Sequence, residues 1–181
     1  MDQGLIPRRY AKALYKVGVE RDCARDLYLQ MQTLEAAFAA NPELQGVLAN
    51  PFVSNKDKEQ LLKTAAGENA VSSSTFGDFL TLLAENGRLD LARHIASAFI
   101  DLFRKENRIH SVHVTSAAPL SERNEQRIRQ IISEHLDGGT MEYSADVNPD
   151  LIGGFVITLD NQRLDASVRN ELEKLRLNLI N

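Results

Sequence analysis

The hydrophobic repeat of this chain changes period once, near Asn107, and that switch limits the possible folds more than any other feature. Up to about residue 106, apolar residues recur every three or four positions, the repeat of helices that each hide one face. Beyond it, "IHSVHVTSA" sets Ile109, Ser111 and His113 against His110, Val112 and Val114, the alternation of a strand. The expected fold class is mainly α: an N-terminal bundle of five or six helices, then a small C-terminal α/β unit, with the boundary near residues 105–108.

Ile6, Tyr10, Ala13, Leu14 and Val17 mark the first helix, and Pro7 suits its first turn. The second carries Leu27, Met31, Leu34 and Phe38 and stops at Asn41–Pro42; a third runs from about Glu43 to Ala49. Ser54 reads as the cap of a fourth, with Leu61 and Leu62 on its buried side. "TFGDFLTLLAENG" gives the fifth, ending near Asn86–Gly87, and the sixth holds Leu91, Ile95, Phe99, Leu102 and Phe103. After the first strand, Ser121 opens a helix with Ile128, Ile131, Ile132 and Leu136 on one face. "TMEYSADV" and Phe155–Leu159 are the next strands. Asp165 and Ser167 are expected to cap a last helix bearing Val168, Leu172, Leu175 and Leu179.

Strand, loop and helix beside the pair Gly153–Gly154 raise the question of a phosphate site. Such a cradle needs its glycines between strand and helix, where backbone N–H groups meet the anion. Here they precede the strand, and Asp165 stands where the anion would sit, so the nucleotide reading fails. His110 and His113 lie three apart on a strand and point to opposite faces, while His94 and His135 are isolated on helices, so no metal site is expected. Cys23 is alone; a helix-end position explains it better than a catalytic thiol. No nucleophile–base set, zinc motif or Walker pattern occurs, and neither catalysis nor a cofactor is expected.

Net charge and chain ends narrow the partners. A charge of −4 lacks the basic field that a general nucleic-acid binder needs. The N-terminus shows no secretory or transit pattern, which favours a bacterial protein or a mature organellar chain. No apolar run reaches the roughly 20 residues of a spanning helix, so a membrane link is expected only through a partner.

The first and fifth helices carry more apolar surface than one-sided packing uses. Tyr10, Ala13 and Val17 are joined by Leu14, Ala11 and Tyr15, well beyond the roughly 100° stripe of a surface helix. Phe76, Phe79, Leu80, Leu82, Leu83 and Ala84 spread as widely. Either both helices sit centrally in the bundle, or they flank a groove for an amphipathic helix of another protein. Arg8, Arg9, Lys12 and Lys16 line the remaining face of the first helix, solvated or paired with partner acids.

"IPRRYAKALYKVG" resembles the opening helix of the delta subunit of F-type ATP synthase, the counterpart of the oligomycin sensitivity-conferring protein. "NPFVSNKDKEQLL", "LLAENGRLDLARHIASAF" and "VTSAAPLSE" are similar to its recurring segments. The most specific match is the pair Gly153–Gly154, the strand after it, then Asp165, Ser167, Val168 and Arg169 before a leucine-spaced helix. The resemblance covers nearly the whole chain. It implies a six-helix domain over residues 1–106 that binds the catalytic head, and an α/β domain over 107–181 that contacts the b subunits of the peripheral stalk. It implies a non-catalytic stator role at the cytoplasmic face of the inner membrane, coupling rotation to proton transport and ATP synthesis. The partner-binding residues implied are Tyr10, Ala13, Leu14 and Val17, facing Phe79, Leu82 and Leu83, with the N-terminal helix of an alpha subunit between them. A free-standing helical adaptor is the competing expectation.

Overall fold

The computed structural model describes residues 4–136, 138–160, 162–170 and 172. The chain divides into two compact units, Met1–Phe103 and Arg104–Asn181.

In the first unit, α1 (Leu5–Glu20) buries Pro7, Ala11, Leu14 and Gly18, one stripe at helical spacing. It crosses α2 (Ala24–Ala40) closely at Gly18, where a Cβ would stand 2.9 Å from Leu27 Cδ1 and 3.1 Å from Ala24 Cα. The turn between them is closed by the Cys23 N–H, which donates to the Gly18 carbonyl at 2.8 Å. The chain continues through α3 (Glu43–Ala49) and α4 (Asn55–Ala65), whose Ser54 hydroxyl accepts from the Asp57 N–H as the sequence indicates. Leu62 of α4 is fully buried.

"GENAVSS" adds one short helix to the expected six, α5 (Glu68–Ser72), which opens after Gly67 at φ 98°. Ser73 then caps α6 (Ser74–Glu85) by accepting from the Phe76 N–H at 3.3 Å. That helix ends as expected at Asn86–Gly87: Gly87 takes φ 63°, and the Arg88 N–H reaches the Leu83 carbonyl at 2.7 Å. One 3-10 turn (Leu89–Leu91) leads into α7 (Ala92–Glu106). Ile95, Ala96, Phe99 and Ile100 of α7 are buried, and Phe103 stacks on Tyr28 of α2 with ring centroids 4.3 Å apart.

The second unit is built on a four-stranded sheet in the order β2–β1–β3–β4. β1 (Ile109–Ser116) pairs in parallel with β2 (Thr140–Val147), and α8 (Glu122–His135) connects them. β3 (Gly154–Leu159) runs antiparallel to β1 and forms a hairpin with β4 (Gln162–Ser167). Val112 and Val114 of β1 pack with Ile132 of α8 and Leu136, joined by Ile128, Tyr143, Phe155, Ile157 and Leu159. Ile131, expected on that apolar face, is 49% exposed instead.

β4 differs from the sequence expectation, in which Asp165 and Ser167 stand at the start of a helix rather than in a strand. Each residue from Gln162 to Ser167 pairs with one of β3, so the segment is an edge strand. Residues 168–170 are helical, while Leu175 and Leu179 lie outside the described residues.

Candidate functional site

α1 and α6 are neighbours. The Tyr10 and Phe79 rings meet edge to face, centroids 6.4 Å apart, and Arg21 at the end of α1 donates to the Asp78 carboxylate at 3.1 Å and the Thr75 hydroxyl at 3.2 Å. The seven residues singled out on these helices separate into two groups. Leu14, Phe79 and Leu83 are 3%, 7% and 0% exposed, packed by the bundle itself. Tyr10 and Val17 are half-buried, Ala13 is exposed, and Leu82 is 44% exposed. The wide apolar sector of α6 therefore reflects a central position, with Phe76, Leu80 and Ala84 also buried.

What stays open is a band along α1: Ile6, Tyr10, Ala13 and Val17, spaced four, three and four residues apart on one flank of the buried stripe. Leu82, one turn after Phe79, is the apolar side chain that α6 adds. Leu82 and Leu83 point about 100° apart and both fall within the broad apolar sector of α6, Leu82 at its edge, so the pattern alone does not say which of them a neighbour covers.

Between α2 and the α4–α5 corner lies a polar cavity of about 700 Å³, lined among others by Cys23, Asp26, Gln30 and Asn69. Cys23 is half-buried at the start of α2, its sulfur 3.7 Å from the Thr75 hydroxyl.

In the second unit, the two histidines of β1 diverge. His110 Nδ1 is 2.8 Å from the Asp160 carboxylate, and His113 lies 2.9 Å from the Ser144 hydroxyl and 3.4 Å from Asp146. Among the described residues, no three histidine, cysteine or carboxylate side chains gather as metal ligands would.

Gly153, Gly154, Asp165, Ser167, Val168 and Arg169 meet in one place, and their contacts are structural. Gly154 has φ 79°, and a Cβ there would collide with the Ala166 carbonyl and approach Ser167 Cα to 3.0 Å. Gly153 accepts from the Val168 N–H at 3.0 Å, and Arg169 donates to the Asp150 carbonyl at 3.1 Å. Ser167 Oγ accepts from the Asn170 N–H at 3.3 Å, capping the turn at 168–170. Asp165 does not itself cap that turn. Its carboxylate accepts from the Ser167 hydroxyl at 2.6 Å and the Ser167 N–H at 3.1 Å, and so fixes the cap. Those two hydrogen bonds, helped by Arg163, hold the Asp165 carboxyl below its ordinary pKa. In the core beside α8, burial raises the Tyr143 phenol, with Glu125 pushing the same way and Arg129, 4.0 Å over the ring, opposing.

A helical unit with a half-open apolar band on α1 is thus followed by a small sheet unit whose polar clusters brace the backbone. Residues 6–179 match the family model described as ATP synthase delta (OSCP) subunit. ATP synthase subunit delta of Bacteroides thetaiotaomicron is 35% identical over 180 residues, covering 99% of this chain and 96% of that protein. The Parabacteroides distasonis subunit is 36% identical, covering 99% and 98%. A chain in the cryo-EM structure of the Toxoplasma gondii mitochondrial ATP synthase hexamer shares the fold, with a TM-score of 0.71 at 22% identity and 97% coverage of both chains. The chain belongs to the ATP synthase delta (OSCP) subunit family.

Proposed function

We propose that the open band of α1, with Leu82 of α6, seats the N-terminal helix of an alpha subunit of the catalytic head, while residues 107–181 contact the C-terminal region of the b subunits. The protein is a non-catalytic stator subunit of the F-type ATP synthase, and its partners are other subunits of that complex. The observation that carries the alpha-helix reading is the placement of Ile6, Tyr10, Ala13 and Val17, which matches the spacing with which one helix buries a second. Tyr10 packs edge to face against Phe79, so the two helices share a continuous apolar contact at this point.

Rotation of the central shaft drags on the head, and a tie must hold it without letting go. Burying an amphipathic helix against apolar side chains gives slow dissociation without any chemistry in the tie. No helix among the described residues is long and apolar enough to cross a membrane. Attachment at the cytoplasmic face of the inner membrane therefore runs through the b subunits in this reading. The test is binding of the full chain to two purified heads, one intact and one with the alpha N-terminal segments deleted. Tight binding to the first and none to the second supports the assignment. Equal binding to both rules out the alpha helix as the ligand.

A further inference from the structure

α1 is charged against its own stability. Arg8, Arg9, Lys12 and Lys16 are all exposed, and Arg8, Lys12 and Lys16 follow one another at four-residue spacing, where like charges repel. Arg8 and Arg9 stand at the end of the first turn, where the backbone dipole is positive. The first turn holds no acidic residue and the last turn no basic one, and Glu20, the single acid of α1, sits at the negative end. Among the described residues none of the four cations has an ion pair, in a chain whose net charge is −4. A row kept only for solubility would not need one sign on one helix face.

The row also adjoins the open band. Ala13 lies four residues after Arg9 and three before Lys16, so cations and apolar side chains share one continuous flank. We infer that the helix seated on α1 is an amphipathic helix with acidic residues along one edge of its apolar face, and that Arg8, Arg9, Lys12 and Lys16 pair with that edge. This rests on the docking reading above and specifies the chemistry of the occupant. The apolar band supplies affinity, and the cations fix which way round and in what register the helix lies. The same row would also meet an acidic partner before contact, offsetting the repulsion of an otherwise acidic surface.

The test titrates the full chain with a synthetic peptide copying the N-terminal segment of the cognate alpha subunit, at 50 and 500 mM NaCl. Screening shortens from about 14 Å to about 4 Å over that range, so binding by the natural chain should weaken about tenfold. Lys12→Glu should weaken binding about tenfold at low salt and little at high salt. It should also raise the Tm of the free chain by about 1–2 °C, because it turns repulsion from Arg8, Arg9 and Lys16 into attraction. Opposite signs for binding and stability separate recognition from a structural role. Salt-independent binding that Lys12→Glu leaves unchanged overturns the inference while the docking reading stands. A natural chain that binds the peptide at neither salt concentration overturns both.

Discussion

Leu82 and Leu83 are neighbours in sequence with opposite fates, and that contrast gives the sharpest mutational prediction. Leu83 is 0% exposed, and a buried leucine cut to alanine costs about 2.7–5 kcal/mol. Leu83→Asp puts a carboxylate in the same place without a partner, enough to unfold a domain whose whole stability is about 5–15 kcal/mol. Leu82 retains 44% of its exposure. Fully burying a leucine is worth about 1.5–3 kcal/mol, so the part still open can contribute about 0.7–1.3 kcal/mol to a partner. Leu82→Ala should therefore weaken head binding about three- to tenfold and leave the fold intact. Leu82→Asp should weaken it at least a hundredfold, since a carboxylate must then be desolvated against apolar surface. Binding is read by titration onto purified head and folding by circular dichroism of the free chain. A folded Leu82→Asp variant that binds like the natural protein would refute the placement of the interface on this flank.

Further outcomes concern the second unit. Gly154→Ala must place a side chain at φ 79° against the Ala166 carbonyl; the backbone alone costs about 1–2 kcal/mol, and the collision adds about 1–3 kcal/mol. Amide exchange should quicken across β3 and β4 and stay unchanged in α1–α6, and unaltered protection of β3 and β4 would contradict the packing described. Asp165 has its pKa lowered on folding, so its contribution is complete above the unfolded carboxylate value near 4 and is lost as pH falls through the folded value. An NMR titration should find Asp165 below the ordinary carboxylate range, and Ser167→Ala should move it back up. An Asp165 that titrates normally in the natural chain would remove the hydrogen-bond account.

What could be read from the sequence follows what each element buries. α1, α2, α6 and α7 announce themselves because each hides a stripe, and β1 because Val112 and Val114 alternate with polar residues. β4 was hidden because it is an edge strand: Leu164, its one large apolar residue, is 62% exposed, and Arg163 and Asp165 flank it. α5 was hidden because five residues including two polar ends make barely one turn, held by the packing of Ala70 rather than by propensity. The apolar excess of α1 and α6 was visible as a sum, but its division was not. A helical wheel ranks faces without saying which neighbour covers them, so Leu14 and Leu83 looked as available as Val17 and Leu82.

The most direct measurement is a backbone NMR footprint on the full chain as the alpha N-terminal peptide is added. The account predicts shifts concentrated on Ile6, Tyr10, Ala13 and Val17 of α1 and on Leu82 of α6. Shifts that avoid α1 and gather at the polar cavity beside Gln30 and Asn69, or within residues 104–170, would contradict it.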